Sequence, residues 1–505
     1  MTQFRWLLGT TCALLCSQAL AQNAEPLSAI DWLSQSVDEP AAVIQTEPDV
    51  ATGAAAPSVT VTPLGDLSAD LAGLLPPEVT GLPRTLWAFS DEATLVALTQ
   101  AETMPALPAL QELLTMLMLA EADPPLGASP HGALFLARVD KLLDLGALDQ
   151  AQALMEQANT EDPAIFRRWF DVGLLNGTED AACDLMQSRP SVAPTYPARI
   201  FCLARAGDWA VAALTLNTHR VLGDVTEAEE QLLSRFLDPD LFEGEPDLPP
   251  AARVSPLVFR MREAIGQGMS TQSLPLAFAH ADLRSTTGLK AQLEAAERLT
   301  RAGALDPNIL QSLYTARTPS ASGGVWDRVK AFQRFDAAIS AGDEEAIRAR
   351  LPDAWRAMAT IRAEVAFATL YAEKLAALSG TPTALMTEIG LLSDRYALVA
   401  AAASDLDPVI RGIATSGPIP TNTARGARGI IAAAFDEADT DVPLAQTLSD
   451  GKTGEALLRA IAMFNAGIDG DPQLVADALR VLQAAGRGDF ARRAALQYLI
   501  LKRAT

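Results

Sequence analysis

Apolar residues recur at the three- and four-residue spacing of an amphipathic helix over most of the chain beyond about residue 84. Three consecutive stretches, 131–158, 166–188 and 198–216, each predict a helix, a glycine turn and a second helix. The turn glycines are 31 and 30 residues apart, and they are Gly146, Gly177 and Gly207. Few segments alternate between apolar and polar residues as strands do. The pattern therefore predicts an all-α protein built from helical hairpins.

A small residue and a large apolar residue follow each turn at fixed distances. Five positions after each turn glycine lies an alanine, and nine positions after it a methionine or leucine: Ala151, Ala182 and Ala212, then Met155, Met186 and Leu216. The small residue lets two helices approach closely, and the large one fills the groove beside it. This period of about 30 residues resembles tetratricopeptide-like and related α-solenoid repeats. The resemblance implies an α-solenoid-like array of stacked hairpins with a concave groove. An irregular helical domain with three hairpins is the alternative.

A proline-rich and acidic segment interrupts the helical pattern. Residues 237–250 contain four prolines and five acids, which are too many for a helix interior. We expect a domain boundary there, between an N-terminal helical-repeat domain over 81–240 and a C-terminal helical domain over 251–505. In the second half, the stripe of Val325, Val329, Phe332 and Phe335 predicts a further helix, and residues 488–491 repeat the pattern of 207–210.

The first residues have the pattern of a secretory signal peptide. Arg5 is the only charge in the first 21 residues, and an apolar run follows over residues 6–16. Ala19-Leu20-Ala21 then supplies a small-x-small cleavage site. The apolar run is shorter than the roughly 20 residues that a membrane-spanning helix needs.

The predicted destination of the chain is therefore the periplasm. We expect a signal peptide over 1–21, cleaved after Ala21, and a mature protein that begins at Gln22. Lipidation of Cys16 or retention in the membrane is the alternative. No later stretch approaches 20 uncharged apolar residues, so we expect no transmembrane span in the mature chain.

Residues 22–80 differ in composition from the rest and predict a flexible, disordered linker rich in alanine, proline and acidic residues. Within it, Ile30, Trp32 and Leu33 form part of a short amphipathic turn. One hypothesis is that this segment docks into the groove of a partner. The alternative is that it folds back on its own domain or remains disordered.

The charge of the chain limits its partners. It has 62 acidic against 39 basic residues and a net charge of -23. Nucleic-acid binding relies on clustered Lys and Arg that displace counterions from phosphates, so we expect no nucleic-acid partner.

No motif in the sequence predicts catalysis or a cofactor. The chain has three histidines, and they are far apart in sequence, so we expect no multi-histidine metal centre. Lys452-Thr453-Gly454 matches one signature of serine β-lactamases, but the chemistry also needs a separate Ser-x-x-Lys. The one Ser-x-x-Lys, at 449–452, shares the same lysine. We therefore expect no catalytic, metal or cofactor-binding residues and a protein that is not an enzyme.

Cys183 and Cys202 are the two cysteines that remain after cleavage at Ala21. They lie at nearly equal distances from the predicted turn between the second and third hairpins. Antiparallel helices rise by the same amount per residue, so the two side chains are expected at nearly the same height. In an oxidising compartment they would form a disulfide. Two buried free thiols that face apart are the alternative.

As a whole the chain resembles uncharacterised exported proteins of alphaproteobacteria that are sometimes labelled antifreeze glycopeptide polyprotein. That label implies tandem Ala-Ala-Thr repeats, and no Ala-Ala-Thr occurs in the chain. The sequence is best interpreted as a non-catalytic periplasmic helical scaffold that binds envelope proteins or polymers such as peptidoglycan. The alternative is a peptidoglycan-acting hydrolase or lyase, because helical superhelices also accompany lytic transglycosylases. The Glu-Ser dipeptide which that family uses is absent.

Overall fold

The regular secondary structure is helical. The computed structural model describes residues 68–129, 132–319, 321–419, 425–436 and 441–501. Within those ranges there are twenty-five α-helices and five short 3-10 turns, and no β-strand. The prediction of an all-α protein is confirmed.

The α-helices follow one another closely along the chain. They are α1 (Pro77–Thr80), α2 (Glu92–Ala101), α3 (Pro108–Leu119), α4 (Ala133–Asp144), α5 (Leu148–Glu156), α6 (Pro163–Asn176), α7 (Asp180–Ser188), α8 (Tyr196–Arg205), α9 (Trp209–Leu222), α10 (Glu227–Leu237), α11 (Pro256–Ala264), α12 (Ala279–Asp282), α13 (Leu289–Arg301), α14 (Pro307–Thr315), α15 (Val325–Ala341), α16 (Glu344–Thr360), α17 (Glu364–Ala376), α18 (Ala384–Leu391), α19 (Tyr396–Ala402), α20 (Pro408–Thr415), α21 (Ala427–Ala433), α22 (Ala445–Ser449), α23 (Thr453–Gly467), α24 (Pro472–Ala484) and α25 (Gly488–Leu501). The 3-10 turns are Ala69–Leu71, Pro190–Val192, Pro239–Phe242, Thr271–Ser273 and Leu276–Phe278.

The three predicted hairpins are present as α4–α5, α6–α7 and α8–α9. Each turn glycine has a positive φ, of 75°, 79° and 87° for Gly146, Gly177 and Gly207. Neighbouring helices pack in pairs. The six small and large residues that follow the turns are all buried, as the spacing predicts: Ala151, Ala182, Ala212, Met155, Met186 and Leu216. The hairpin interpretation is therefore confirmed.

The buried apolar side chains form three clusters. The first joins helices from the start of the described chain, between Leu82 and Leu175, to helices from its end, between Leu391 and Leu496. The second occupies the middle of the chain, around α13–α18. The third, around α6–α11, contains residues on both sides of the proline-rich segment 237–250. Apolar packing therefore continues across the boundary expected between 81–240 and 251–505.

Polar contacts also join the two ends of the described chain. Arg487, just before α25, donates hydrogen bonds to the carbonyls of Thr80 (2.6 Å) and Gly81 (2.6 Å). The side-chain oxygen of Gln497 accepts a hydrogen bond from the backbone N–H of Ala109 at 3.0 Å. This N–H belongs to the first turn of α3, whose N-cap residue makes no side-chain bond. The last helix therefore caps an early one.

Candidate functional site

The predicted cysteine pair is joined. Cys183 on α7 and Cys202 on α8 form a disulfide with a Cα–Cα distance of 5.1 Å. Both side chains are buried in the third apolar cluster. The disulfide therefore links the second hairpin to the third, as the sequence predicts.

The other predicted binding residues, Ile30, Trp32 and Leu33, lie outside the described residues. Of the histidines, His131 is also outside them. His219 stacks on Tyr196 with ring centroids 3.4 Å apart and contacts Asp224 through Nδ1. His280 lies in the interior against the turn of the first hairpin.

A large cavity, which we call the C-terminal cleft, lies where the first two apolar clusters meet. It has a volume of about 1020 Å3 and is lined by the end of α17, by α18 and α19, by the loop to α20, and by the last residues of α25. On α18, Met386 and Ile389 belong to the second cluster and Leu391 to the first. Ile500 at the end of α25 packs against both. Such junctions between packed units are common places for ligand sites.

The helices that line the C-terminal cleft are fixed to one another at close range. Gly390 on α18 lies so near α19 that an added Cβ would be 2.7 Å from a methyl carbon of Val399. The Tyr396 hydroxyl on α19 donates to Asp489 on α25 at 2.6 Å, and Arg492 donates to the same hydroxyl at 3.3 Å. These contacts fix α18, α19 and α25 relative to one another, so the walls of the C-terminal cleft belong to the packed structure.

The C-terminal cleft combines apolar walls with charges of both signs. Apolar side chains such as Leu375, Leu398 and Ile410 line it, together with Arg395 and Asp405. Leu398 is 65% exposed although it is a large apolar residue. Arg395 donates to Glu373 at 3.0 Å, but both of these side chains remain solvent-accessible. The arrangement suits a ligand with apolar groups flanked by charges.

A second cavity, which we call the His280 cavity, has polar and apolar surface in similar amounts. It has a volume of about 570 Å3 and lies beside the turn of the first hairpin. Its lining residues are Asp149, Gln152, Ala153, Glu156, Asn176, Thr178, His280, Leu283 and Arg284. In the described ranges no group of three His, Cys, Asp or Glu residues is arranged to hold a metal ion.

Neither cavity is predicted by the pattern of apolar residues along the chain. The expected groove lay on the glycine-turn hairpins, whereas the C-terminal cleft is formed by helices of the second half of the chain. A local signal exists for the His280 cavity, because Asp149, Gln152 and Glu156 form a polar stripe on one helix. For the C-terminal cleft the comparable signal is Leu398, an apolar residue on the solvent side of a short helix.

Among the described helices, none has both the length and the apolar character to cross a membrane. Comparison of the chain with family models, with curated proteins and with solved structures found no match. The fold therefore defines the class of protein, an all-α protein of paired helices.

Proposed function

We propose that this chain is a non-catalytic helical scaffold of the periplasm that binds an amphipathic segment of an envelope protein in the C-terminal cleft. The observation that carries the proposal is the cleft itself, with about 1020 Å3 of space between mostly apolar walls. Ligand sites in proteins commonly have volumes of 300–1,000 Å3, so the cleft has room for several side chains.

Burial of exposed apolar surface would supply the binding energy. Leu398 lines the cleft, and about two thirds of its surface is exposed to solvent. A partner that covers the exposed part of this side chain gains about two thirds of the hydrophobic free energy of burying a leucine, roughly 1–2 kcal/mol. Peptides that bind helical grooves use apolar residues spaced along one face in this way.

Charge complementarity favours a partner segment with charges of both signs. Arg395 and Asp405 line the same cleft, so the apolar contacts are flanked by a cation and an anion. The chain as a whole carries a net charge of -23 and would attract cationic or mixed-charge partners. Long-range attraction of this kind increases the association rate and is weakened by salt.

A periplasmic location is part of the proposal. The disulfide between Cys183 and Cys202 is consistent with an oxidising compartment, where such bonds persist. The signal peptide over 1–21 would direct the chain there. Intact-mass analysis of fractionated protein tests this: a mass that begins at Gln22 in the periplasmic fraction is expected, and a mass that retains residues 1–21 in the membrane fraction would contradict it.

The binding site is tested by a matched pair of substitutions. Leu398→Asp places a charge in the C-terminal cleft, whereas Leu214→Asp changes a leucine of nearly equal exposure, 67% against 65%, on α9. In affinity capture from the periplasm, we expect the Leu398→Asp variant to lose a protein that the unmodified chain and the Leu214→Asp variant both retain. Equal capture by both variants would place binding elsewhere.

The alternative is a hydrolase or lyase that acts on peptidoglycan. It has one specific observation in its favour, because the carboxylates of Asp149 and Glu156 line the same cavity. Glycosidases need a pair of acids about 5 to 10 Å apart. A peptidoglycan-digestion assay decides between the two: digestion that Asp149→Asn abolishes, without capture of a partner by the cleft, would favour the enzyme.

A further inference from the structure

The exposed large apolar side chains of the described residues are concentrated on α9. Thirteen such side chains are exposed to solvent, and five of them lie on this one helix of 14 residues: Trp209, Val211, Leu214, Val221 and Leu222. Their exposed fractions run from 49% for Val211 to 80% for Val221. The buried residues of α9 are Ala212 and Leu216. A helix that is apolar on its outer as well as its inner face is normally covered on both sides.

Most of these side chains form a stripe along the outer face of α9. The stripe, which we call the α9 stripe, consists of Val211, Leu214, Thr218, Val221 and Leu222, all of them exposed. The first four follow one another at intervals of three, four and three residues, so they share one face of the helix, away from the two buried residues. Two packed helices interdigitate through residues at this spacing. The α9 stripe therefore has the geometry to receive one further helix.

The α9 stripe is electrically neutral in a strongly acidic protein. The chain has a net charge of -23, yet α9 contains no Asp or Glu, and the nearest acids in sequence, Asp208 and Asp224, lie beyond its ends. The two titratable residues of α9 already have partners. His219 contacts Asp224 at 2.8 Å, and Arg220 donates to Glu230 at 2.9 Å. A neutral apolar face is best matched by another neutral apolar face, because a charged partner would lose its water without gaining an ion pair.

We propose that the α9 stripe forms a symmetric contact with the same stripe of a second copy of this chain. In an antiparallel pair with a two-fold axis at residue 216, Val211 faces Val221 of the second copy, since both are five residues from the axis. Leu214 faces Thr218 for the same reason. No acidic residues meet across the stripe itself, although both copies are acidic. This contact is separate from the C-terminal cleft and does not depend on the function proposed for it.

The area of the α9 stripe sets the expected strength of the contact. With the polar side chains beside it, the stripe exposes roughly 500 Å2 on each copy, so a symmetric contact would bury about 1,000 Å2 in total. That area is at the lower limit for specific interfaces and is typical of weak, transient complexes. We therefore expect a dimer that dissociates on dilution.

Sedimentation velocity of the full chain over about two decades of concentration tests the proposal. We expect the unmodified protein to shift from monomer towards dimer as its concentration rises. Leu214→Asp places one carboxylate from each copy in the contact and should weaken dimer formation about tenfold or more. Leu398→Asp adds the same charge at a leucine of similar exposure in the C-terminal cleft, and it should leave dimer formation unchanged. Thermal unfolding checks that each variant folds.

A mixture of variants tests the antiparallel arrangement. Thr218→Lys alone should form the dimer more weakly than the unmodified protein. Mixed with Leu214→Asp, it should recover a heterodimer, because the new lysine of one copy faces the new aspartate of the other. No heterodimer in the mixture would overturn the antiparallel pairing. A monomer at every concentration, an unchanged dimer in Leu214→Asp, or an equal loss of the dimer in Leu398→Asp would overturn the proposal as a whole.

Discussion

Buried charged side chains among the described residues differ in how well hydrogen bonds satisfy them, as Arg138 and Asp171 show. Arg138 is fully buried and donates to the carbonyls of Met118, Ala72 and Ala120 at 2.8–3.0 Å. Asp171 on α6 is also buried but has no hydrogen bond from the described residues. A buried charge without such partners is costly, so its ionised form is disfavoured.

The consequence at Asp171 is a stability that depends on pH. Burial raises the pKa of Asp171 to about 7, and the charges of Arg167 and Arg168 only partly oppose this. Since the unfolded chain releases this proton near pH 4 and the folded chain does not, stability should fall as the pH rises from about 4 to 7. Asp171→Asn removes the titrating group. We expect the variant to be more stable than the unmodified protein at pH 8, by roughly 1–4 kcal/mol, and to lose that advantage at pH 4.

Urea unfolding at the two pH values measures this difference. The exposed Asp184→Asn variant is the control and should follow the pH profile of the unmodified protein. The prediction is contradicted if the variant has no stability advantage over the unmodified protein at pH 8, or if its advantage is larger at pH 4 than at pH 8.

At the scale of elements, the turn glycines differ in what surrounds them. Gly146 and Gly207 both have a positive φ, but a Cβ at Gly146 would be 2.8 Å from Leu276, whereas a Cβ at Gly207 would meet nothing within 4 Å. Gly207→Ala should therefore cost about 1–2 kcal/mol of backbone strain alone. Gly146→Ala should cost about 1–3 kcal/mol more because Leu276 has to move. Urea unfolding measures the free energy of unfolding of the two variants, and Gly146→Ala should lose more of it than Gly207→Ala. Equal losses of unfolding free energy would contradict the packing described for the first hairpin.

The disulfide is the second feature at this scale. Cys183 and Cys202 are 19 residues apart, and closing a loop of that length restricts the unfolded chain. Reduction should lower the free energy of unfolding by about 3 kcal/mol. The double variant Cys183→Ala, Cys202→Ala should be equally destabilised and insensitive to reductant. Unfolding of the unmodified protein that is the same with and without reductant would show that the bond contributes nothing.

The helical hairpins could be predicted from the sequence because their signals are local. Glycine marks a turn with positive φ, and the stripe of Val325, Val329, Phe332 and Phe335 marks one buried face of α15. The cysteine pair followed from equal distances to one turn. The C-terminal cleft could not be predicted in this way, because its walls come from α17 and α25, more than 100 residues apart. Contacts at that separation depend on tertiary packing, which periodicity does not encode.

At the scale of the whole molecule, helices near both ends of the described chain, α3 and α25 among them, form one apolar cluster. Gln497 on α25 supplies the acceptor for the Ala109 N–H of α3. Gln497→Leu leaves that buried N–H without an acceptor and should cost about 1–3 kcal/mol. Gln446→Leu, at an exposed position, should change the stability by less than about 0.5 kcal/mol. Urea unfolding compares them, and equal effects would mean that the two ends of the chain are not joined as described.

In the function that we propose, the C-terminal cleft between α18, α19 and the end of α25 is the surface that binds the partner. Site-specific photo-crosslinking in exported protein tests it most directly. A photoreactive residue in place of Leu398 should give a discrete crosslinked product with an envelope protein, and the same residue in place of Leu214 should give none. The same product from both positions, or no product from position 398, would contradict the account.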